Sequence, residues 1–155
     1  MVHVGNDGVL DGSGASALDL QGRGNESGIQ ITAINSAGAL FTTYSNSDGV
    51  YELDLPPGLY NVSVDRHLYL GSTRLRVVVP ANGSVSIPSV TLLAGDVTGD
   101  GAINIFDLAF IAGQYGFDVP PANPDADLNG DGTVNIFDIA LAAGNYTETA
   151  PVSWP

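Results

Sequence analysis

The sequence contains neither cysteine nor lysine. Without cysteine, the chain has no disulfide, no thiolate metal ligand and no cysteine nucleophile. Its four basic side chains are all arginines, at Arg23, Arg66, Arg74 and Arg76. Because phosphate neutralisation needs a clustered basic surface, we do not expect the chain to bind nucleic acid.

Long apolar runs and catalytic motifs are also missing. No stretch approaches the roughly 20 apolar residues that cross a bilayer, so membrane insertion is not expected. The start of the chain lacks a signal-peptide pattern, so we expect that any secretion signal has been removed or lay upstream in a longer protein, which is secreted or displayed at the cell surface. His3 and His67 stand far apart, and no nucleophile motif or phosphate loop appears. We therefore do not expect an enzyme.

Acidic residues dominate what is present. The 155 residues include 17 acids and carry a formal net charge of -13. From Gly95 onward the sequence has acidic residues but no arginine or lysine. Carboxylates concentrated in this way need a neutralising cation, and a metal ion is the natural candidate.

The N-terminal part has the pattern of an antiparallel β-sandwich. Short β-branched and aromatic runs, separated by Gly, Asn, Asp and Pro, predict about seven strands. The clearest runs lie at 29–34, 40–44, 50–55, 60–64, 75–79 and 85–92. The Asp-Gly pair within 46–49 and the Pro-Pro-Gly of 56–58 predict tight turns, each inside a hairpin.

Two segments of this region resemble a known class of sandwich. They are Ser-Asp-Gly-Val-Tyr-Glu-Leu at 47–53 and Leu-Pro-Pro-Gly-Leu-Tyr-Asn-Val-Ser-Val at 55–64. They are similar to the carboxypeptidase-regulatory-like and transthyretin-like domains, which have immunoglobulin-like sandwich folds. The resemblance implies such a sandwich over residues 1–93.

An internal repeat of 31 residues begins where the β-pattern stops. Residues 96–107 align with residues 127–138, and eight of the twelve positions are identical. The copied unit continues through an apolar segment with helical spacing. The C-terminal part thus consists of two loop-helix units.

Each loop matches the twelve-residue calcium pattern. Oxygen ligands come from loop positions 1, 3, 5, 7, 9 and 12, and a glycine at position 6 permits the sharp turn. The predicted ligands of two Ca2+ ions are Asp96, Thr98, Asp100, the carbonyl of Ala102, Asn104 and Asp107 in loop 1, and Asp127, Asn129, Asp131, the carbonyl of Thr133, Asn135 and Asp138 in loop 2. The asparagines at position 9 reach the ion either directly or through a water molecule.

The two repeats resemble a dockerin. The resemblance rests on the paired loop-helix units, on Asp at position 12, and on a β-like segment in place of an entering helix. It implies a small α-helical module with paired EF-hand-like calcium loops over residues 94–155, which binds a cohesin domain and anchors its parent protein to an extracellular assembly. The sandwich before it is similar to the X-module of X-module–dockerin tandems.

The helices are apolar on nearly all sides. Helical spacing predicts an inward stripe, formed by Ile103, Leu108, Ile111 and Tyr115 in one repeat and by Val134, Ile139, Ala142 and Tyr146 in the other. The remaining apolar residues predict a partner-binding surface. They are Ile105, Phe106, Ala109 and Phe110, with Ile136, Phe137, Ala140 and Leu141.

Two other functions remain open at this point. Tyr44, Tyr51, Tyr60 and Tyr69 could form a stacking platform for sugar rings, which would make the sandwich a polysaccharide-binding module. Alternatively, the chain is a calcium-rigidified cell-surface spacer, with its helices packed on its own sandwich and no cohesin partner. The tail at 151–155 is expected either to clasp the helical module by stacking Trp154 on its termini or to fray.

Overall fold

The computed structural model describes residues 2–5, 18–20, 27–81 and 84–155. Arg23 lies outside these residues. Within the described part, the strands are β1 (Val2–Gly5), β2 (Leu18–Leu20), β3 (Gln30–Asn35), β4 (Leu40–Tyr44), β5 (Asp54–Leu55), β6 (Gly58–Asp65), β7 (Leu68–Leu70), β8 (Ser72–Val79), β9 (Val85–Ser86) and β10 (Val90–Asp96). The helices are α1 (Ile105–Ala112), a 3-10 helix (Pro124–Ala126) and α2 (Ile136–Gly144). The predicted mixed fold, with a β-rich N-terminal part and two helices near the C-terminus, is confirmed.

The described strands form three sheets. The largest is antiparallel, with the order β4-β3-β6-β8. In the second sheet, β10 lies between β2, to which it is parallel, and β7, to which it is antiparallel. In the third, β1 lies between β5 and β9. The central position of β10 matters for the site, because this strand leads directly into the first repeat.

Alternating burial along the strands identifies the core. Ile31 and Ala33 of β3 are buried, and so are Val62 and Val64 of β6, to which they are paired. The intervening Thr32 is partly exposed. Since successive side chains of a strand point to opposite faces, one face of the large sheet packs into the core.

The strand predictions are confirmed for four runs and wrong in part for two. The runs at 29–34, 40–44, 60–64 and 75–79 correspond to β3, β4, β6 and β8. The run at 50–55 is strand only at Asp54–Leu55, and the run at 85–92 is divided between β9 and β10. Tyr51 and Leu53 are buried without ladder pairing, so the alternating pattern here reports burial alone.

The predicted turn at 46–49 is confirmed, but the predicted hairpins are wrong. Asn46 Oδ1 accepts hydrogen bonds from the backbone N–H groups of Asp48 and Val50, and Gly49 has φ +73°. However, β5 pairs with β1 rather than with β4 or β6. The turn at 46–49 forms through local contacts, as predicted. The partner of β5 is set instead by a distant part of the chain.

The predicted platform of tyrosines is wrong. Tyr51, Tyr60 and Tyr69 are buried, and only Tyr44 is well exposed, at 61%. Tyr60 packs edge-on against Phe41 with ring centroids 6.1 Å apart. These rings are core residues of the sandwich and cannot stack on a sugar.

Strand β10 joins the sandwich to the helical part. It runs through the expected domain boundary at 93/94 and ends at Asp96, the first predicted calcium ligand. Helix α2 packs against this strand, and the buried Asn145 just after it donates an Nδ2 hydrogen bond to the carbonyl of Ala94, at 2.8 Å. Loop 1 is consequently anchored in the sheet of the sandwich.

The C-terminal tail also returns to the sandwich. The N–H of Val152 donates to the carbonyl of Gly71 at 2.9 Å, and Ser72 Oγ donates to the carbonyl of Val152 at 2.6 Å. Trp154 Nε1 donates to the carbonyl of Pro88 at 2.6 Å, and its ring packs on the core. Trp154 thus contacts the sandwich instead of stacking on the termini of the helical module.

Candidate functional site

Loop 1 is organised around the carboxylate of Asp96. Asp96 Oδ1 accepts hydrogen bonds from the N–H groups of Gly99 and Asp100, at 2.9 and 3.1 Å, and Oδ2 accepts one from Gly101 at 3.0 Å. Gly99 and Gly101 have φ +72° and +83°, a left-handed backbone that favours glycine. These bonds curl the backbone around one carboxylate, as the twelve-residue pattern requires.

The end of loop 1 is also the start of α1. Asn104 caps the helix through its side-chain oxygen, which accepts from the N–H of Phe106 at 2.9 Å. Asp107 Oδ2 accepts from the N–H of Asn104 at 2.8 Å, and Asp107 Oδ1 accepts from the N–H and hydroxyl of Thr98 at 3.0 Å each. The capping box therefore turns the fully buried Asp107 back over the loop.

Loop 2 repeats this arrangement. Asp127 accepts hydrogen bonds from the N–H groups of Gly130, Asp131 and Gly132, at 2.8, 3.1 and 2.9 Å. Asp138 Oδ2 accepts from the N–H of Asn135, the N-cap of α2, at 2.8 Å. The backbone bonds to the first and last carboxylates are thus the same in both loops.

The two loops differ in how their carboxylates gather. Candidate ligand oxygens of Asp96, Asp100 and Asp107 all lie within 4.8 Å of one another. In loop 2, Asp131 Oδ2 accepts a hydrogen bond from Asn129 Nδ2 at 3.0 Å, which occupies one of its oxygens. Both donor sets consist of oxygen atoms alone, and such sets suit a hard cation like Ca2+.

Two carboxyl groups in the loops have shifted pKa values. Burial raises the pKa of Asp96, despite the three backbone N–H groups that stabilise its charged form. The exposed Asp131 has a lowered pKa, because its carboxylate accepts hydrogen bonds from the N–H of Thr133 and the amide of Asn129. Asp96 of loop 1 therefore binds a proton more readily than Asp131 of loop 2 does.

Every predicted ligand belongs to one of the two loops. Loop 1 contains Asp96, Thr98, Asp100, Ala102, Asn104 and Asp107, and loop 2 contains Asp127, Asn129, Asp131, Thr133, Asn135 and Asp138. The side-chain oxygens of Asn104 and Asn135 cap the helices, while their amide groups donate to the position 7 carbonyls of Ala102 and Thr133. This capping role was not predicted, although an asparagine directly before an apolar helical segment is a signal for the start of a helix.

The helices expose one apolar face each. Ile105 and Phe106 are 57% and 70% exposed, and the equivalent Ile136 and Phe137 are 56% and 65% exposed. Ala109 and Ala140 are exposed as well, whereas Phe110 and Leu141 are partly buried. A groove of about 370 Å³ on α2 is lined by Asn129, Phe137, Ala140, Leu141 and Gly144.

The inward stripe is confirmed in part. Ile103, Ile111, Val134 and Ala142 are buried, and Leu108 and Ile139 are partly buried against the core. Tyr115 and Tyr146 are 51% and 45% exposed, because each lies beyond the end of its helix. Phe117, which lies beyond the end of α1, is also exposed.

Comparison with protein families gives a match for the segment that carries both loops. The family described as "Dockerin type I domain" matches residues 94–143. Residues 94–143 are a dockerin domain. Dockerin domains bind calcium, in agreement with the oxygen-lined loops. A comparison with curated proteins finds no match.

Solved structures extend the fold likeness of the dockerin to nearly the whole chain. One similar structure is an N-terminal interface mutant of a type II cohesin–X–dockerin complex from Acetivibrio cellulolyticus, with 20% identity and a TM-score of 0.77. The other is a C-terminal interface mutant of that complex, with 22% identity and a TM-score of 0.75. Each alignment covers 97% of this chain and 98% of the matched chain. The architecture is that of an X-module followed by a dockerin.

Dockerins are non-catalytic binding modules, and dockerin and cohesin components belong to extracellular or cell-surface assemblies. Within the described residues, no helix has the length and apolar character needed to span a membrane.

Proposed function

We propose that the chain is a calcium-dependent cohesin-binding module, which anchors its parent protein to an extracellular or cell-surface assembly. The exposed apolar face that both dockerin helices present at equivalent positions carries this proposal. Apolar patches of this kind mark protein interfaces. The cohesin in both similar structures supports this class of partner.

Two calcium ions hold the helices in place in this proposal. The predicted ligands of loops 1 and 2 supply the oxygens, and the capping role of Asn104 and Asn135 favours their acting through water. Each loop has two buried carboxyl groups, Asp96 and Asp107 in loop 1 and Asp127 and Asp138 in loop 2. Because buried carboxylates repel one another, the helices should order fully only when calcium binds.

The partner-binding surface consists of the eight residues predicted from helical spacing. They are Ile105, Phe106, Ala109 and Phe110 on α1, with Ile136, Phe137, Ala140 and Leu141 on α2. Exposed alanines flank the rings, so a partner's backbone can approach closely. Since positions 10 and 11 of both loops are Ile-Phe, we infer that either helix can take the central place in the complex.

The sandwich acts as a supporting module. It supplies strand β10, from which loop 1 emerges, and it covers the face of α2 that contains Ala142. It does not cover Phe137, which argues against a spacer whose helices are all packed internally. The division of the chain into residues 1–93 and 94–155 describes these two roles, although their packing is continuous.

Cohesin partners of two classes, type I and type II, are candidates. The family match names a type I dockerin, whereas the structures that resemble the whole chain contain a type II complex. We propose a type II cohesin, because the likeness to that complex includes the sandwich as well as the dockerin. A panel of immobilised type I and type II cohesins tests this choice, and binding confined to type I members would contradict it.

Charge substitutions on the helices test the proposed surface. The double variant Phe106→Asp with Phe137→Asp should lose cohesin binding, because a carboxylate would be buried without a partner. Each single variant should still bind if either helix can serve. Val78→Asp is a matched control, since Val78 is 65% exposed but lies on the sandwich. Unchanged binding by the double variant would exclude this surface, and complete loss from one single variant would exclude the two orientations.

A further inference from the structure

The 31-residue repeat extends beyond each helix into a short extended segment. We name residues 116–119, which follow α1, the first arm, and residues 147–150, which follow α2, the second arm. The apolar pattern does not reveal them, because the two arms share no residue at equivalent positions. Their backbones nevertheless make the same set of hydrogen bonds.

The first arm pairs with loop 2. The N–H of Gly116 donates to the carbonyl of Val134 at 2.8 Å, and the N–H of Val134 donates to the carbonyl of Phe117 at 2.9 Å. The N–H of Val119 then donates to the carbonyl of Gly132 at 2.9 Å. The arm that follows the first helix therefore lies along positions 6 to 8 of the second calcium loop.

The second arm pairs with loop 1 in the same way. The N–H of Thr147 donates to the carbonyl of Ile103, and the N–H of Ile103 donates to the carbonyl of Glu148, both at 2.9 Å. The N–H of Ala150 donates to the carbonyl of Gly101 at 2.9 Å. Each repeat thus extends an arm to the calcium loop of the other repeat.

Position 7 is the point at which this exchange touches calcium chemistry. Its residues are Ala102 and Thr133, whose carbonyls are predicted ligands. They lie directly opposite Thr149 and Asp118 in isolated antiparallel bridges. Because the flanking residues of each loop are bonded to an arm on both sides, the arm fixes the direction in which the ligand carbonyl points.

We propose that each arm is a positioning element for the calcium site of the opposite repeat, whose position 7 carbonyl it holds in place. This inference rests on the proposed calcium sites. The two arms differ in how the chain continues beyond them. Two residues after the second arm, Val152 makes hydrogen bonds with Gly71 and Ser72 of the sandwich. After the first arm, the chain meets the sandwich through a side-chain contact, with Asp125 Oδ1 lying 3.1 Å from His67 Nε2. The backbone of the second arm therefore ties loop 1 to the sheet of the sandwich.

Proline substitutions in a crossed design test the inference. Ala150→Pro removes the N–H donated to loop 1, and Val119→Pro removes the one donated to loop 2. Each is measured by calcium calorimetry in the full chain with one loop silenced, by Asp131→Ala for loop 2 or by Asp100→Ala for loop 1. We expect each proline to weaken the site it faces about tenfold and to leave the other within about twofold. Ser153→Pro, in the tail outside the arm, should leave both sites unchanged.

A second measurement does not require the proline variants to fold. Amide hydrogen exchange at Ala150 in the otherwise unchanged chain should quicken when Asp100→Ala silences loop 1, while exchange at Val119 stays slow. Equal weakening of both sites by one proline would overturn the role of the arms. An exchange rate at Ala150 that does not change when loop 1 is silenced would overturn it as well. A parent chain that binds no calcium would instead refute the proposed function.

Discussion

Replacement of Gly95 by alanine should destabilise the joint between the sandwich and the dockerin. Gly95 lies at the irregular point of β10, with φ +130°, where side-chain-bearing residues are strained. A Cβ atom there would lie 2.9 Å from Ala142 Cα, 3.0 Å from Ala142 Cβ and 3.3 Å from Ile103 Cδ1. The first two atoms belong to the body of α2 and cannot move without shifting the helix.

The magnitude follows from two contributions. Backbone strain of this kind costs about 1–3 kcal/mol, and overpacking of a close contact costs a further 1–3 kcal/mol. The free energy of unfolding should therefore fall by roughly 2–6 kcal/mol in Gly95→Ala. For a chain of this length, each kcal/mol lowers the melting temperature by about 2–4 °C, so the expected decrease is roughly 4–24 °C.

Gly38→Ala provides the matched control. Gly38 also has a left-handed backbone, with φ +82°, but an added Cβ meets nothing within 4 Å. It should cost only the backbone term of about 1–2 kcal/mol. Melting curves in saturating calcium, followed by circular dichroism, compare the two variants. Equal melting temperatures for both variants would refute the claim that α2 is packed tightly on β10.

Three further outcomes are expected. Trp154→Phe removes the hydrogen bond to the carbonyl of Pro88, which should lower the free energy of unfolding by about 1 kcal/mol and the melting temperature by a few degrees. An unchanged melting temperature would mean that this contact of the tail does not stabilise the fold. Asn145→Ala removes a buried hydrogen bond to β10 and should lower the unfolding free energy in urea by about 1–3 kcal/mol, and a neutral result would contradict the joint. As the pH falls from about 7 to 4, calorimetry of single-loop variants should show calcium leaving loop 1 first. The raised pKa of Asp96 lets protons compete at a higher pH than does the lowered pKa of Asp131, and the reverse order would contradict this.

The calcium loops could be predicted from sequence because their chemistry is local. A twelve-residue spacing of oxygen side chains and glycines is enough to indicate which residues would be the ligands. The exposed Phe106 and Phe137 were predicted for a similar reason, since helical spacing fixes which side of a helix each residue occupies. The same rule failed for Tyr115 and Tyr146, because both helices end before them.

Features that depend on pairing between distant segments could not be predicted. The apolar run at 50–55 has strand spacing, but only its last two residues pair, and their partner is β1. Strand β7 is three buried residues whose ladder is set by β10. The arms that cross between the repeats leave no shared residues in the sequence, because their contacts run through backbone atoms.

The most direct test of the account measures cohesin binding with and without calcium. The intact chain is passed over a panel of immobilised cohesins in calcium, then in excess chelator, and then in calcium again. The account predicts binding to a type II cohesin that disappears in chelator and returns with the metal. Binding of equal strength in chelator, or no binding to any cohesin in calcium, would contradict it.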